Sequence, residues 1–202
     1  KVLKNWPVYV LDYVKILRHR HIWYRLRDGT IFALRPGKDR VIFNQVWIDK
    51  VYTSTGLSIK TDDVVIDIGA HAGFFTIYAA QKAYRGRVYA FEPAPENSDL
   101  LKKNIQINNI QNVSVQRRAV AAISGTQEFI LYPKSTSAHS LVREPVSKKN
   151  IIQVDTTTLD EIIKKEGIKK VNFLKIDAEG AEYEILFESS PETLKKIQGI
   201  GM

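Results

Sequence analysis

Three segments of the chain bring glycines and acidic residues together in patterns that suit nucleotide binding. In the first, VVIDIGAHAGFFTIYAA from Val64 to Ala80, an apolar run ends in Asp67 and continues through Gly69 and Gly73. Glycine lacks a Cβ, so the backbone can turn sharply there and approach a ligand closely, and the next helix offers its first N–H groups to an anion. The pattern predicts a strand, a ligand-binding turn and a helix.

The spacing of these glycines separates the turn from two better-known nucleotide sites. The pattern is D-x-G-x-x-x-G, and the chain contains neither the G-x-G-x-x-G of dinucleotide-binding folds nor a G-x-x-x-x-G-K-[ST] phosphate loop. This argues against a nicotinamide-dependent oxidoreductase and favours a nucleotide without a diphosphate, S-adenosylmethionine. The expected cofactor-binding residues of this segment are Asp67, Gly69, Ala70, His71, Gly73 and Phe74.

A second segment, VYAFEPAPEN from Val88 to Asn97, ends the next apolar run in an acid. Glu92 follows Asp67 by 25 residues, and the carboxyl ends of neighbouring parallel strands meet at the edge of a sheet where ligands bind. A carboxylate there can accept hydrogen bonds from ribose hydroxyls. The expected cofactor-binding residues are Glu92, Pro93 and Asn97, with Arg118 and Ala119 beside the adenine after the third strand.

The third segment, FLKIDAEGAEYEIL from Phe173 to Leu186, delivers Asp177 and Glu179 just after another apolar run. We expect both carboxylates at the same sheet edge, facing the reactive end of the cofactor. Lys175 lies within the run, and because a lone buried charge is costly, it should pair with a carboxylate. This segment predicts the catalytic end of the site.

Together the three segments resemble the FkbM-type S-adenosylmethionine-dependent methyltransferases of class I. The pattern of that family is roughly DIGA-x-x-G, FEP-x-P-x-N and K-I-D-x-E-G-x-E, and the chain reads DIGAHAG at 67–73, FEPAPEN at 91–97 and KIDAEGAE at 175–182. The third motif is the distinctive one, because many methyltransferases share only the first two. The usual Asn of the first motif is His71 in this chain.

The resemblance implies methyl transfer to a hydroxyl oxygen of a sugar, a glycan or another small molecule. The sulfonium already activates the methyl group, so the protein needs to align the acceptor, exclude water and accept a proton. Asp177 and Glu179 are the candidate bases, and Asp177 is also a candidate cofactor contact. His139, in a long Ser- and Lys-rich loop, is a further candidate because the unperturbed pKa of histidine is about 6.5. The sequence shows no complete metal-ligand spacing, so no metal is expected.

The excess of positive over negative charge lies entirely in residues 1–60. Residues 1–60 hold 12 Lys or Arg and 4 Asp or Glu, whereas residues 61–202 hold 18 of each, for a net charge of +8. Such a basic segment could steer an anionic acceptor, a nucleic acid or a membrane surface toward the site, or be solvated charge alone. Two alternatives stay open: a nucleic-acid methyltransferase that uses the basic segment, and a catalytically inactive cofactor-binding module.

Residues 1–60 are predicted to form a helix and β-hairpin extension of a methyltransferase domain at 61–202. A helix should begin near Pro7, because proline is favoured in the first helical turn. Apolar residues alternate from Ile22 to Arg35 around Asp28 and Gly29, which predicts a hairpin with a tight two-residue turn. Residues 40–54 should again be helical.

From Asp63 onward, short apolar runs alternate with longer amphipathic stretches, which predicts an α/β fold with a doubly wound, mostly parallel, Rossmann-like sheet. The predicted strands are Val64–Ile68, Arg87–Phe91, Val113–Arg117 and Val171–Ile176, and the predicted helices are Gly73–Ala83, Pro95–Ile107 and Glu179–Glu188. Further predictions are a strand pair at Gln127–Leu131 and Ile151–Val154, and a helix through Lys165 capped by Thr157 or Thr158. Residues 197–202 resemble the start of one more strand, which indicates a truncated C-terminal end.

Composition places the chain among ordinary globular domains. Apolar residues make up 44% and charged residues 26%, enough to build a core at this length. No apolar run approaches the ~20 residues that span a bilayer, and the start lacks the apolar region of a secretory signal, so we expect a cytoplasmic protein. The absence of cysteine excludes disulfides and cysteine nucleophiles.

Overall fold

Strands and helices alternate from Val64 to Ile107, as the apolar pattern predicts, and five described strands then follow one another between Val113 and Thr157. The computed structural model describes residues 2–17, 21–52, 58–132, 140–141 and 150–202. Its helices are α1 (Trp6–Tyr13), α2 (Arg40–Trp47), α3 (Phe74–Lys82), α4 (Pro95–Ile107), α5 (Leu159–Lys165), α6 (Glu182–Phe187) and α7 (Pro191–Leu194). Its strands are β1 (Ile22–Arg25), β2 (Ile31–Leu34), β3 (Val64–Ile68), β4 (Arg87–Phe91), β5 (Val113–Gln116), β6 (Ala119–Val120), β7 (Gly125–Ile130), β8 (Ser140–Leu141), β9 (Ile151–Thr157), β10 (Phe173–Ile176) and β11 (Ile200–Gly201).

A five-stranded parallel sheet in the order β11-β10-β3-β4-β5 forms the centre of the fold. The chain moves outward from β3 to β4 and β5, then returns to the other side of β3 to form β10. Such a reversal of strand order creates a crevice at the carboxyl ends of the strands, where α/β proteins bind ligands. The predicted α/β class with a mostly parallel sheet is confirmed, and β3, β4 and α4 have the predicted bounds.

A smaller sheet in the order β6-β9-β7-β8 packs beside this crevice. It contains the predicted strand pair, since β7 and β9 are antiparallel with Gly125 opposite Thr156. Thr158 caps α5 as one of the two predicted alternatives: its hydroxyl accepts from the backbone N–H of Glu161, whose side chain bonds back to the cap. Thr157 is instead the last residue of β9, because the strand is longer than predicted.

The N-terminal hairpin forms as predicted, but its turn has three residues and not the two that the sequence predicted. β1 and β2 are antiparallel with Ile22 opposite Leu34. The backbone N–H of Leu26 bonds to the carbonyl of Thr30 at 2.8 Å, so three residues, 27–29, connect the strands. Gly29 has φ of 96°, and the Asp28 carboxylate accepts from the backbone N–H of Thr30 at 2.9 Å. A left-handed glycine after a type I turn is the usual three-residue solution.

Two predicted helices are shorter than their apolar patterns. α2 ends at Trp47 rather than at residue 54, because Lys50 takes a left-handed φ of 55° and the backbone N–H of Asp49 closes on the carbonyl of Asn44. α6 begins at Glu182 rather than at Glu179, because Glu179 and Gly180 both have positive φ. In each case a left-handed residue sets the boundary.

An aromatic core joins the N-terminal extension to the parallel sheet. Phe32 and Phe43 meet the ring of Phe74 with centroids 5.2 and 5.9 Å apart, and the indole of Trp47 donates to the backbone carbonyl of Phe74 at 3.1 Å. These rings are buried in the same cluster as Val65 of β3. One core therefore crosses the boundary predicted at residue 60. No helix in the described part of the chain has the length and apolar character needed to cross a membrane.

Candidate functional site

The three motifs meet around one cavity at the carboxyl ends of β3, β4 and β10. The predicted site residues that line it are Gly69, Ala70, His71, Phe74, Glu92, Pro93, Asn97, Ala119, Asp177 and Glu179. The N-terminal extension adds Ile42, Val46 and Tyr52 to its wall, and the smaller sheet adds Phe129 and Leu141. Two separate parts of the chain thus complete a pocket whose carboxylates follow the strands of the parallel sheet.

Three predicted cofactor residues lie outside the cavity wall. Asp67 is fully buried beneath it, where its carboxylate accepts from the hydroxyl of Thr76 at 2.5 Å and lies 3.1 Å from the ammonium of Lys175. Arg118 is half-buried between β5 and β6. Gly73 faces helix α4, where an added Cβ would stand 2.4 Å from the Leu101 side chain. His139 falls outside the residues that the structure describes.

Glu92, at the end of β4, is held almost entirely by N–H donors. Its side chain accepts from the backbone N–H of His71 at 2.8 Å and of Ala94 at 2.9 Å, and from the amide of Asn97 at 3.3 Å. Burial raises the pKa of Glu92, although these hydrogen bonds oppose that shift. The result is a fixed acceptor on the wall of the cavity, since a carboxylate has about four lone-pair positions and three are used.

Gly69 is required by the contact between the first and third motifs. Its φ is 73°, and a Cβ at this position would stand 1.9 Å from the backbone oxygen of Asp177. A side chain would therefore push β3 and β10 apart at the point where their turns touch. The sequence predicted that the backbone at this glycine approaches a ligand closely. In the structure, the backbone of Gly69 closely approaches the backbone of Asp177.

His71 connects the first motif to the N-terminal extension. It adopts a left-handed φ of 51°, which aims its backbone N–H at Glu92. Its Nε2 lies 3.2 Å from the guanidinium of Arg35 and 3.6 Å from the carboxylate of Asp39. Burial alone would raise the pKa of Asp39, but His71 and Arg35 together hold that pKa below its usual range.

Asp177 and Glu179, after β10, form the other polar end of the cavity. The Tyr52 hydroxyl donates to the Asp177 carboxylate at 2.8 Å, and the ammonium of Lys175 lies 3.8 Å away. Burial, followed by the Asp177 charge, raises the pKa of Tyr52, so the hydroxyl stays a donor. Burial and the negative charge of Asp177 also raise the pKa of Glu179. No described residue donates a hydrogen bond to the Glu179 carboxylate.

Lys175 neutralises the buried acids beneath the site. Its side chain is 4% exposed, pairs with Asp67, and donates to the backbone carbonyls of Gly69 at 2.8 Å and Ile68 at 3.2 Å. The expected carboxylate partner is therefore present. Because the cation bonds to both the acid and the turn of the first motif, it ties β10 to β3 where the two motifs meet.

The turn before α6 fixes the direction of Glu179. Glu182 accepts from the backbone N–H groups of Ala178 and Gly180, each at 2.9 Å. Glu179 has φ of 49° within this closed turn. Of the three acids of the third motif, Glu182 therefore holds the turn, while Asp177 and the exposed Glu179 line the cavity.

Sequence reasoning did not find Tyr52, Arg35 or Asp39. Tyr52 is separated by 125 residues from the carboxylate that it contacts, and it lies in no motif. Asp39 and Arg35, four residues apart, form an ion pair that in the sequence resembles an ordinary local contact. In the structure, His71 packs against this pair. Only the packing of the extension on the sheet reveals these three residues.

The cavity combines carboxylates with apolar walls. Such a surface suits a ligand with hydroxyl donors, an apolar ring and positive charge. Within the described residues, no group of three or more histidine, aspartate and glutamate side chains is arranged to hold a metal ion.

Comparison with known proteins places the chain in a family. The methyltransferase FkbM domain matches residues 67–201. The chain is 26% identical to "Methyltransferase 1" of Beauveria bassiana over 79% of this chain and 71% of that protein, and 24% identical to the 31-O-demethyl-FK506 methyltransferase FkbM of Streptomyces tacrolimicus over 80% and 73%. A hexuronic acid methyltransferase of Haloferax volcanii is 30% identical over 63% of this chain and half of its own length.

Among solved structures, an FkbM methyltransferase from Methylobacillus flagellatus KT aligns with a TM-score of 0.49 at 17% identity. The alignment covers 72% of this chain and 32% of the other, so this chain spans about a third of that protein. The sequence match to the domain alone extends over more than half of the chain and includes all three motifs. This chain therefore belongs to the FkbM methyltransferase domain family.

Proposed function

We propose that this chain is an S-adenosylmethionine-dependent methyltransferase that methylates a hydroxyl oxygen on a sugar, a glycan or another small molecule. The observation that carries the proposal is the convergence of the three motifs on one cavity, with Glu92 on one side of β3 and Asp177 and Glu179 on the other. Two relatives are named as methyltransferases of 31-O-demethyl-FK506 and of hexuronic acid. Those names support an oxygen acceptor here.

The residues of the cavity fit this cofactor chemically. Glu92 has one lone-pair position left for a ribose hydroxyl after its three N–H donors are counted. Apolar side chains beside it, Phe91, Ala119 and Phe129, offer walls for an adenine ring. Asp177, whose side chain is 38% exposed, offers negative charge to the cationic methionine end.

When bound, S-adenosylmethionine supplies an activated methyl group. The chain aligns the acceptor with this group, excludes water and provides a proton acceptor. We assign the proton of the acceptor hydroxyl to Glu179. Its carboxylate lines the cavity, no described residue donates to it, and its pKa is raised, all of which favour taking up a proton. Asp177 is held by Tyr52 and Lys175, which suits a fixed charge better than a base.

Calorimetry with the purified chain tests the cofactor assignment first. We expect S-adenosylmethionine and its demethylated product to bind and NAD to give no heat. A methyl-transfer assay with labelled cofactor against sugars, glycans, lipids and RNA then identifies the acceptor. Binding of NAD in place of S-adenosylmethionine would overturn the proposal, and exclusive labelling of RNA would replace the acceptor class.

A further inference from the structure

Helix α1 of the extension exposes a row of apolar residues to solvent, whereas a surface helix usually turns such residues toward the core. Trp6, Val10, Tyr13 and Val14 share one face, as residues spaced by three, four and seven do. Their exposed fractions are 61%, 43%, 61% and 51%. An apolar stripe normally faces the core of a globular protein, so this outward stripe needs a covering.

The inward face of α1 is instead fixed by a buried acid. Asp12 is 1% exposed, accepts from the Tyr24 hydroxyl at 2.6 Å and accepts from the backbone N–H of Gly37 at 2.7 Å. Asn44 of α2 also donates to the Tyr9 hydroxyl at 2.9 Å. These polar contacts lock the rotation of the helix, so the apolar stripe cannot turn inward to hide.

Exposed lysines flank the stripe. Lys4 and Lys15 lie at its two ends. The guanidinium of Arg40 lies 4.7 Å from the Tyr13 ring centroid, but its side chain is only 16% exposed and lies 3.9 Å from the carboxylate of Asp12. Of the four acids in residues 1–60, Asp12 and Asp39 are buried, which leaves only two acids at the surface of the most basic part of the chain. The stripe and its cations together match an apolar interior bordered by negative charge.

We propose that α1 docks on an anionic membrane surface, with Trp6 and Tyr13 at the level of the lipid headgroups. Tryptophan and tyrosine prefer this layer because one part of each ring system is apolar and another can hydrogen bond. Lysine and arginine beside a shallowly inserted helix attract anionic lipids. Since α1 contacts α2, whose Ile42 and Val46 line the cavity, docking brings one wall of the cavity next to the membrane.

A second exposed aromatic pair shows that exposure by itself does not predict this binding. Tyr183 and Phe187 of α6 are 66% and 81% exposed and stack with ring centroids 6.2 Å apart. Their helix also carries Glu184, and Glu188 follows it, so an anionic surface would repel this pair. The α6 pair therefore provides a matched control for α1.

Sedimentation of the chain with phosphatidylcholine vesicles, with and without phosphatidylserine, tests the proposal. We expect binding only when phosphatidylserine is present, weakening as salt rises, because the screening length shortens. The double variant Trp6→Ser, Val10→Ser should lower the partition coefficient about tenfold or more, since it removes apolar insertion. Lys4→Gln and Lys15→Gln should each lower it about fivefold. Phe187→Ser should bind like the unmodified chain.

Each variant must keep the melting temperature of the parent chain, since α1 packs through its other face. Binding to vesicles should shift the fluorescence of Trp6 to shorter wavelength. Trp6→Phe should still bind but should lose most of this shift. Failure of the parent chain to sediment with anionic vesicles would overturn the proposal, and so would equal binding by the Trp6→Ser, Val10→Ser variant. A dimer that this variant dissociates would instead assign the stripe to a second copy of the chain.

Discussion

Two glutamates in the same cavity, Glu92 and Glu179, lie in opposite surroundings. Glu92 is 4% exposed and receives three N–H donors, whereas Glu179 receives none from the described residues and stands on a left-handed turn. Burial, nearly complete at Glu92 and only partial at the exposed Glu179, is the first cause of a raised pKa at both residues. The two residues differ in the next contribution to the pKa. Hydrogen bonds oppose the shift at Glu92 and fix it as an acceptor, whereas the negative charge of Asp177 raises the pKa of Glu179 further.

The largest effect should come from Glu179→Gln. If Glu179 takes the acceptor proton, kcat should fall by about 10²- to 10⁴-fold while the affinity for S-adenosylmethionine is kept. Single-turnover kinetics and calorimetry on the same preparation measure the two quantities. Glu188→Gln, an exposed acid after the same helix, is the control. Full turnover in Glu179→Gln would move the base to Asp177, or to His139.

Glu92→Gln should have the opposite effect: it should weaken the binding of the cofactor and leave the rate of methyl transfer unchanged. An amide presents N–H toward one of the backbone donors, so a buried partner is left unpaired. We expect a loss of about 1–3 kcal/mol in binding free energy, measured by calorimetry, with kcat at saturating cofactor nearly unchanged. Glu96→Gln, in the first turn of α4 and with an 85% exposed side chain, should bind normally. An unchanged affinity in Glu92→Gln would remove this carboxylate from the ribose role.

Tyr52→Phe should have a smaller effect, because it removes one hydrogen bond and keeps the ring. The ring packs on Phe75 and lies 5.3 Å from the ammonium of Lys175. Loss of the donor to Asp177 should cost about 1 kcal/mol, or roughly fivefold in cofactor affinity. Tyr84→Phe, at a 65% exposed position, is the control. Equal affinities for both variants would show that Tyr52 fills space and does not position Asp177.

The smallest effect should be a shift in pH dependence. A base must be deprotonated to act, so kcat/KM falls as the pH drops through its pKa. Because the pKa of Glu179 is raised, this fall should begin above the range of an ordinary glutamate. Asp177→Asn removes a negative neighbour, which lowers the pKa of Glu179 and moves the fall to lower pH. A pH profile that does not move in Asp177→Asn would contradict the coupling between the two acids.

The motifs alone determined the central sheet and most of the cavity. Parallel strands buried on both faces have to be continuous apolar runs, so β3 and β4 could be bounded from sequence. Residues that follow such strands must meet at the carboxyl edge of the sheet, so the sequence predicted that Glu92, Asp177 and Glu179 lie around one cavity, as they do. The need of a buried cation for a partner also predicted the ion pair of Lys175.

Tertiary packing decided what local pattern could not specify. The end of α2 depends on Lys50, a left-handed residue that is not a glycine. The start of α6 depends on Glu179 as well as Gly180, and of these two left-handed residues only Gly180 gives a glycine signal in the sequence. The donor to Asp177 comes from Tyr52, and nothing in a motif search connects residues 125 positions apart. The outward stripe of α1 is likewise set by the buried contacts of Asp12, because sequence periodicity shows that a helix has an apolar face but not which way the rest of the molecule turns it.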